Sequence, residues 1–247
     1  MTKKTIATYT LILLFILASI CSKVSSGAPL QLSSAQAIVK FEPQFSRVYP
    51  NQTFTVSVRI ENVTSLYGLE IQITWDTTYL KYSGHTATIP VEAYAEGVLH
   101  EPLIWINDDV DENASMPGAE PETRYWVTVV SAYPAPSFNG NGNAFHMTFK
   151  ALNNMGRTAL NFTYIMLGND KAKPIPFTSF NGRVTVTFPG DVNSDLKVDG
   201  KDIAFLAKAY NTRPGDSLWN PDADVNNDGK VDGKDVATAA KNYGKSV

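Results

Sequence analysis

Between residues 36 and 188, apolar residues recur at every second position. Phe54, Val56, Val58 and Ile60 alternate with polar neighbours, and so do Leu69, Ile71, Ile73 and Trp75. Phe145, Met147 and Phe149 repeat the pattern, followed by Leu160, Phe162 and Tyr164, then Val184, Val186 and Phe188. A period of two gives each run one buried face and one wet face, the signature of a half-buried strand. Pro50-Asn51, Tyr67-Gly68, Asn139-Gly-Asn-Gly142, Gly156 and Asn181-Gly182 stand between the runs and are read as turns. Many short strands separated by such turns predict a mainly β sandwich or jelly roll, long enough to bury its own core.

Beyond residue 188 the period changes. Ile203, Leu206, Ala207 and Tyr210 fall at i, i+3, i+4 and i+7, and Val236, Ala239, Ala240 and Tyr243 do the same 33 residues later. Each set predicts a helix with one apolar stripe. Ahead of each helix lies a near-copy of one acidic stretch, Asp191-Val-Asn193-Ser-Asp195-Leu-Lys197-Val-Asp199-Gly-Lys201-Asp202 and Asp224-Val-Asn226-Asn-Asp228-Gly-Lys230-Val-Asp232-Gly-Lys234-Asp235. Oxygen-bearing side chains fall at positions 1, 3, 5, 9 and 12, the ligand spacing of an EF-hand-type calcium loop. Position 7 contributes a backbone carbonyl, here from Lys197 and Lys230. The metal-ligating candidates are therefore Asp191, Asn193, Asp195, Lys197, Asp199 and Asp202 in the first loop. In the second they are Asp224, Asn226, Asp228, Lys230, Asp232 and Asp235. The usual pattern has Glu at position 12 and Gly at position 6; both copies have Asp at 12, and the first has Leu196 at 6. The segment is short, low in apolar residues and free of cysteine, so two Ca²⁺ ions are the expected staple.

A duplicated loop-then-helix with Asp at position 12 resembles the type I dockerin domain. The resemblance runs from about Gly190 to Tyr243, within a module placed at 190–247. It implies protein–protein binding to a cohesin. In that family, loop positions 10 and 11 and the next helical turns carry recognition, which map here to Gly200, Lys201, Gly233 and Lys234, with Lys208 and Lys241 further along. Gly-Lys replaces the hydroxyl residues usual there and implies an acidic partner face. Identical pairs in both copies imply two docking orientations related by a half turn. The β region, placed at 36–188, itself resembles a cohesin. The likeness lies in Asn51-Gln-Thr-Phe-Thr-Val-Ser-Val58, Leu66-Tyr-Gly68-Leu-Glu-Ile-Gln-Ile-Thr-Trp75-Asp76, Asn143-Ala-Phe145-His-Met-Thr-Phe-Lys150, Gly156-Arg-Thr-Ala-Leu160 and Gly182-Arg-Val-Thr-Val186. The stretch from His85 to Pro121 is longer and more irregular than that family implies. Related sandwiches also bind carbohydrate, so fold alone does not give function.

Composition narrows the rest. The net charge is −3, which implies no nucleic-acid partner. Lys3 and Lys4 precede an apolar run from Leu11 to Cys21 that is too short to span a bilayer, so residues 1–27 read as a secretory signal peptide. The expected product is secreted or at the cell surface, with no membrane span after cleavage. Cys21 is the single cysteine and falls in this segment, which leaves no disulfide or thiolate chemistry in the mature chain. Asn51, Asn62, Asn113 and Asn161 head N-glycosylation sequons.

Asp108, Asp109, Asp111 and Glu112 group with Glu120 and Glu122, and paired carboxylates could hydrolyse a glycoside across a cleft. A solvated acidic loop is the favoured reading, because nothing marks a cleft. His85, His100 and His146 are scattered, with His146 on the wet face of its strand. Trp105, Trp126, Tyr94 and Tyr125 are expected in the core or on a sheet face. The chain is thus read as a non-enzyme that serves extracellular assembly, its partners being cohesin- and dockerin-bearing proteins. A carbohydrate-binding module carried by a dockerin is the alternative, and a glycoside hydrolase with a dockerin tail a lesser one. Pro189-Gly190 is the whole linker, reaching at most about 7 Å, so the tail is not expected to dock on its own sandwich.

Overall fold

The computed structural model describes residues 36–247. The expected signal peptide at 1–27 lies outside the described residues. Ten strands precede two helices: β1 (Ala37–Glu42), β2 (Phe45–Val48), β3 (Thr53–Trp75), β4 (Leu80–Ala87), β5 (Leu103–Val110), β6 (Tyr125–Ser131), β7 (Phe138–Ala151), β8 (Gly156–Asn169), β9 (Phe177–Phe180), β10 (Gly182–Val186), α1 (Gly200–Ala209) and α2 (Gly233–Asn242). None of these helices is long and apolar enough to cross a membrane.

β3 organises the sandwich. The sequence reads two strands here with a turn at Tyr67-Gly68, but the backbone runs straight through as one 23-residue strand. Its first half pairs with β1 and β7, and its second half with β6 and β8. Register shifts between Ile60 and Val63 and between Val63 and Leu66 bend it from one layer into the other. Bulges of this kind raise local twist and re-aim a strand without ending it. The result is a ten-stranded sheet curled over itself. Val56, Val58 and Ile60 from one half meet Leu69, Ile71 and Ile73 from the other in one core with Phe145, Met147, Phe149, Tyr125 and Leu160. The Asn139-to-Gly142 stretch, read as a turn, also lies inside a strand, β7.

The long irregular stretch holds more structure than its sequence suggests. β5 lies within it and pairs with β6. Residues 111–124 then cross the outer face of the β3–β6–β8 layer. The backbone N–H of Glu120 and the hydroxyl of Thr123 donate to Gln72 Oε1 at 2.7 and 3.0 Å. The Arg124 guanidinium donates to the Trp75 and Glu112 carbonyls. Gln72 is buried for this reason although it points away from the core.

Tight backbone approach fixes the segment before β5. Gly142 sits so close to Gly97 that a β-carbon on it would meet the Gly97 carbonyl oxygen at 2.1 Å. The variant Gly142→Ala should force backbone apart and cost roughly 1–3 kcal/mol of unfolding free energy, the range for overpacking. Urea denaturation of wild type and variant checks this.

Candidate metal centre

Each acidic loop is folded around its own carboxylates. Asp191 accepts from the backbone N–H groups of Asp195 at 3.1 Å and Leu196 at 2.9 Å. Asp202, in the first turn of α1, reaches back to accept from Val192 at 2.8 Å, Asn193 at 3.2 Å and Asp199 at 2.8 Å. The second loop repeats this bond for bond. Asp224 accepts from Asp228 at 3.1 Å and Gly229 at 2.8 Å. Asp235 accepts from Val225 at 2.8 Å, Asn226 at 3.2 Å and Asp232 at 2.8 Å. Asp199 and Asp232 cap their helices, each accepting from the lysine two residues on at 2.8 Å. The backbone follows suit: Ser194 and Leu196 take positive φ, and so do Asn227 and Gly229.

The two copies are also laced together. Val198, at position 8 of the first loop, exchanges backbone hydrogen bonds with Gly244 and Lys245 beyond α2; Val231 does the same with Asn211 and Thr212 beyond α1. Between them lies a small core of Val192, Val198, Leu206, Ala209, Ala223, Val225, Val231 and Ala239. The helix stripe differs from the sequence reading. Asp202, Leu206 and Ala209 face inward on α1, and Asp235, Ala239 and Asn242 on α2. Ala207 and Ala240 are exposed, as are Tyr210 and Tyr243, which lie just past the helix ends. The position-12 carboxylate must point into its loop, and that sets the phase of each helix.

The electrostatics suit a cation. Asp191, Asp202, Asp224 and Asp235 are all buried. Among the described residues none of the four forms an ion pair; the loop lysines instead reach the outer aspartates, Lys234 to Asp228 at 3.1 Å and Lys230 to Asp232 at 3.5 Å, with Lys201 4.0 Å from Asp195. Burial pushes the Asp191 carboxyl above its usual range, against the hydrogen bonds from Thr187, Leu196 and Asp195. Buried unpaired carboxylates cost several kcal/mol, so a cation belongs here. A donor set made only of oxygens suits calcium. Asn193, Asp195 and Asp199 stand around the first loop and Asn226, Asp228 and Asp232 around the second. Among the described residues no three acidic or histidine side chains converge on one point. The expected recognition residues are all exposed: Gly200, Lys201 and Lys208 on α1, Gly233, Lys234 and Lys241 on α2.

The other candidates separate. Asp108 and Asp109 are not in a loop but neighbours in β5, so their side chains leave opposite faces of the sheet. Asp108 accepts from Tyr125 at 2.9 Å and lies 2.9 Å from His85 Nε2, contacts that hold its carboxyl below the usual range; a general acid needs the reverse. His85 Nδ1 contacts the Tyr82 hydroxyl at 2.7 Å, and His146 bridges Ser57 and Glu96 at 2.7 and 3.0 Å. His100 contacts Glu92 at 2.8 Å. Tyr125 is core, whereas Trp105 and Tyr94 are exposed. Sequence reasoning missed Arg47 and Thr187 of the sandwich, which hydrogen-bond residues of the C-terminal module. Nothing local to Arg47 signals its contact, because it stands 144 residues before Asp191, whereas Thr187 stands only four before its partner.

Residues 189–242 match the family model described as dockerin type I domain. Among solved structures, the chain is similar to a type I cohesin–dockerin complex from Clostridium thermocellum (11% identity, 61% of this chain and 99% of that one, TM-score 0.46). It is also similar to a non-cellulosomal cohesin from Archaeoglobus fulgidus (12%, 62% and 91%, 0.43) and a cohesin module of a family 33 glycoside hydrolase from Clostridium perfringens (12%, 61% and 95%, 0.43). No curated protein matched the chain. The repeated loop geometry carries one test of its own. Leu196 holds a φ of 71° where Gly229 holds 80°. Leu196→Gly should relieve that strain and stabilise the module by about 1 kcal/mol, read as a higher denaturation midpoint. Loops, helices and family match agree that the C-terminal module is a type I dockerin domain, carried behind a mainly β sandwich.

Proposed function

We propose that this chain is a non-catalytic, extracellular assembly protein. On this reading it divides into a sandwich at 36–188 and a dockerin at 190–247, preceded by an export signal. The observation that carries the proposal is the bond-for-bond repetition of two carboxylate-lined loops, each aligning the helix that follows it. Calcium, one ion per loop, would supply the positive charge that the buried aspartates lack. The chain's own part is to hold donors in place: Asp202 and Asp235 tie loop to helix, and Asp199 and Asp232 cap the first turn. The helix faces so fixed are what a cohesin on another protein would read.

The faces are not equivalent. Phe205 on α1 is exposed and lines a shallow pocket with Leu218, Trp219 and Lys208. The residue 33 positions on is Thr238, whose hydroxyl turns back to the Lys234 carbonyl at 2.8 Å. Repeated Gly-Lys pairs support two orientations; Phe205 favours the one led by α1. Ile104 and Trp105, exposed on β5 of the sandwich, favour a second reading for that domain, a polysaccharide surface. Retention on insoluble polysaccharide that disappears in Trp105→Ala would support that.

Two outcomes are expected. Excess EDTA should abolish the helical circular dichroism of the dockerin, since its small core cannot hold it; unchanged helicity would count against calcium as the staple. Binding to purified cohesin modules should require calcium and residues 190–247. Phe205→Thr should then weaken it about tenfold or more, as loss of an apolar anchor does, and Thr238→Ala much less. Calorimetric titration of the cohesin in calcium and in EDTA reads the binding.

A further inference from the structure

This inference rests on the calcium reading and concerns what holds the loops in place. Arg47 lies in β2, on the sandwich. Its Nη1 donates to the Asp191 carbonyl at 2.9 Å, and its Nη2 donates to the Asp222 carbonyl at 2.6 Å. Nη2 also lies 3.4 Å from Asp222 Oδ1, and the Arg47 side chain is only 11% exposed. Asp191 is position 1 of the first loop. Asp222 stands two residues ahead of Asp224, position 1 of the second. One guanidinium therefore grips the entry to both loops. The Thr187 hydroxyl, just past β10, donates to Asp191 Oδ2. Tyr49, two residues beyond Arg47, packs against the dockerin core, and the guanidinium lies 5.8 Å from its ring.

Charge alone argues against this placement. A fixed cation beside a cation site repels the incoming ion and weakens its binding. A guanidinium helps such a site only by geometry. Its planar fork can hold two carbonyls at a set spacing, which a point charge cannot do. Partners of this kind, one step out from the metal ligands, set ligand orientation and hence affinity.

We propose that Arg47, with Thr187, is a positioning residue of the calcium loops, so that the β-sandwich completes the metal sites of the dockerin. The fork serves both loops, and the Thr187 hydroxyl serves the first alone.

The test is calcium titration of the full chain by calorimetry, with wild type, Arg47→Met, Arg47→Lys, Arg183→Gln and Thr187→Val. Arg183 is the control. It lines the same cleft between sandwich and dockerin, two rows along the β2–β10 pairing, yet its side chain makes no hydrogen bond to the dockerin among the described residues. Arg47→Met should bind calcium at least about tenfold more weakly at both loops, and Arg47→Lys should not restore it. Arg183→Gln should leave affinity unchanged or slightly raised. Thr187→Val, isosteric at a buried position, should weaken the first loop only, and it decides the matter if Arg47→Met fails to fold. Wild-type or tighter binding by Arg47→Met would overturn the proposal, as would full rescue by lysine. A wild-type chain that binds no calcium would instead overturn the calcium reading itself.

Discussion

A carboxylate buried at the start of each helix governs the dockerin module of this chain. Asp202 and Asp235 each take three backbone N–H bonds, two from the beginning of the loop and one from the helix cap. Those bonds close the loop into a ring whose last member is the helix itself. The helix N-terminus favours the negative charge through its macrodipole, which offsets part of the desolvation. The remainder asks for a cation. Because the carboxylate must face the loop, every other residue of the helix is oriented by it. Leu206 and Ala209 turn inward, and Phe205 and Lys208 turn out.

That constraint explains which parts of the chain were legible in sequence. The loops could be read residue by residue because their bonds span at most ten positions. The helices could be located but not phased. An apolar stripe places Ala207 and Tyr210 inside, whereas the aspartate at position 12 rotates them outward. In the sandwich, alternation located buried faces correctly at Val56, Val58 and Ile60 and at Leu69, Ile71 and Ile73. It failed at Tyr67-Gly68 and at Asn139-to-Gly142, since a bulged strand and a turn share the same small and polar residues. β5 was lost because Ile104 and Trp105 are both exposed on an edge that pairs only with β6, so no alternation survives to be read.

Asp108 shows how the same residue types can point away from chemistry. A cluster of carboxylates in sequence suggests a catalytic pair. In β5 the neighbours diverge, and Asp108 instead joins His85, Tyr82 and Tyr125 in a hydrogen-bonded chain across β4, β5 and β6. Each member satisfies another, which lets a tyrosine hydroxyl be buried at no net loss of hydrogen bonding. The cluster fastens an irregular part of the sandwich.

The joint between the halves is short and held on both sides. β10 ends at Val186 and the first loop opens at Asp191. Between them Gly190 passes so close to α2 that a β-carbon there would meet Ala239 Cα at 2.5 Å, and Asn242 donates to the Pro189 carbonyl at 2.8 Å. Arg157 of β8 donates to the Ser194 carbonyl at 2.7 Å on the other flank. Swinging the dockerin away from the sandwich would break these contacts, the Arg47 fork and the burial of Tyr49 together. The short joint thus does not keep the tail off its own sandwich, as the sequence reading expected: the dockerin packs against it through Arg47, Tyr49, Arg157 and Thr187, while Phe205 and the helix lysines stay exposed. A partner that engages the Phe205 side of α1 then meets a dockerin whose position relative to the sandwich is already set. Rigidity of this kind lowers the entropy lost on association and fixes the direction in which the sandwich projects from the complex.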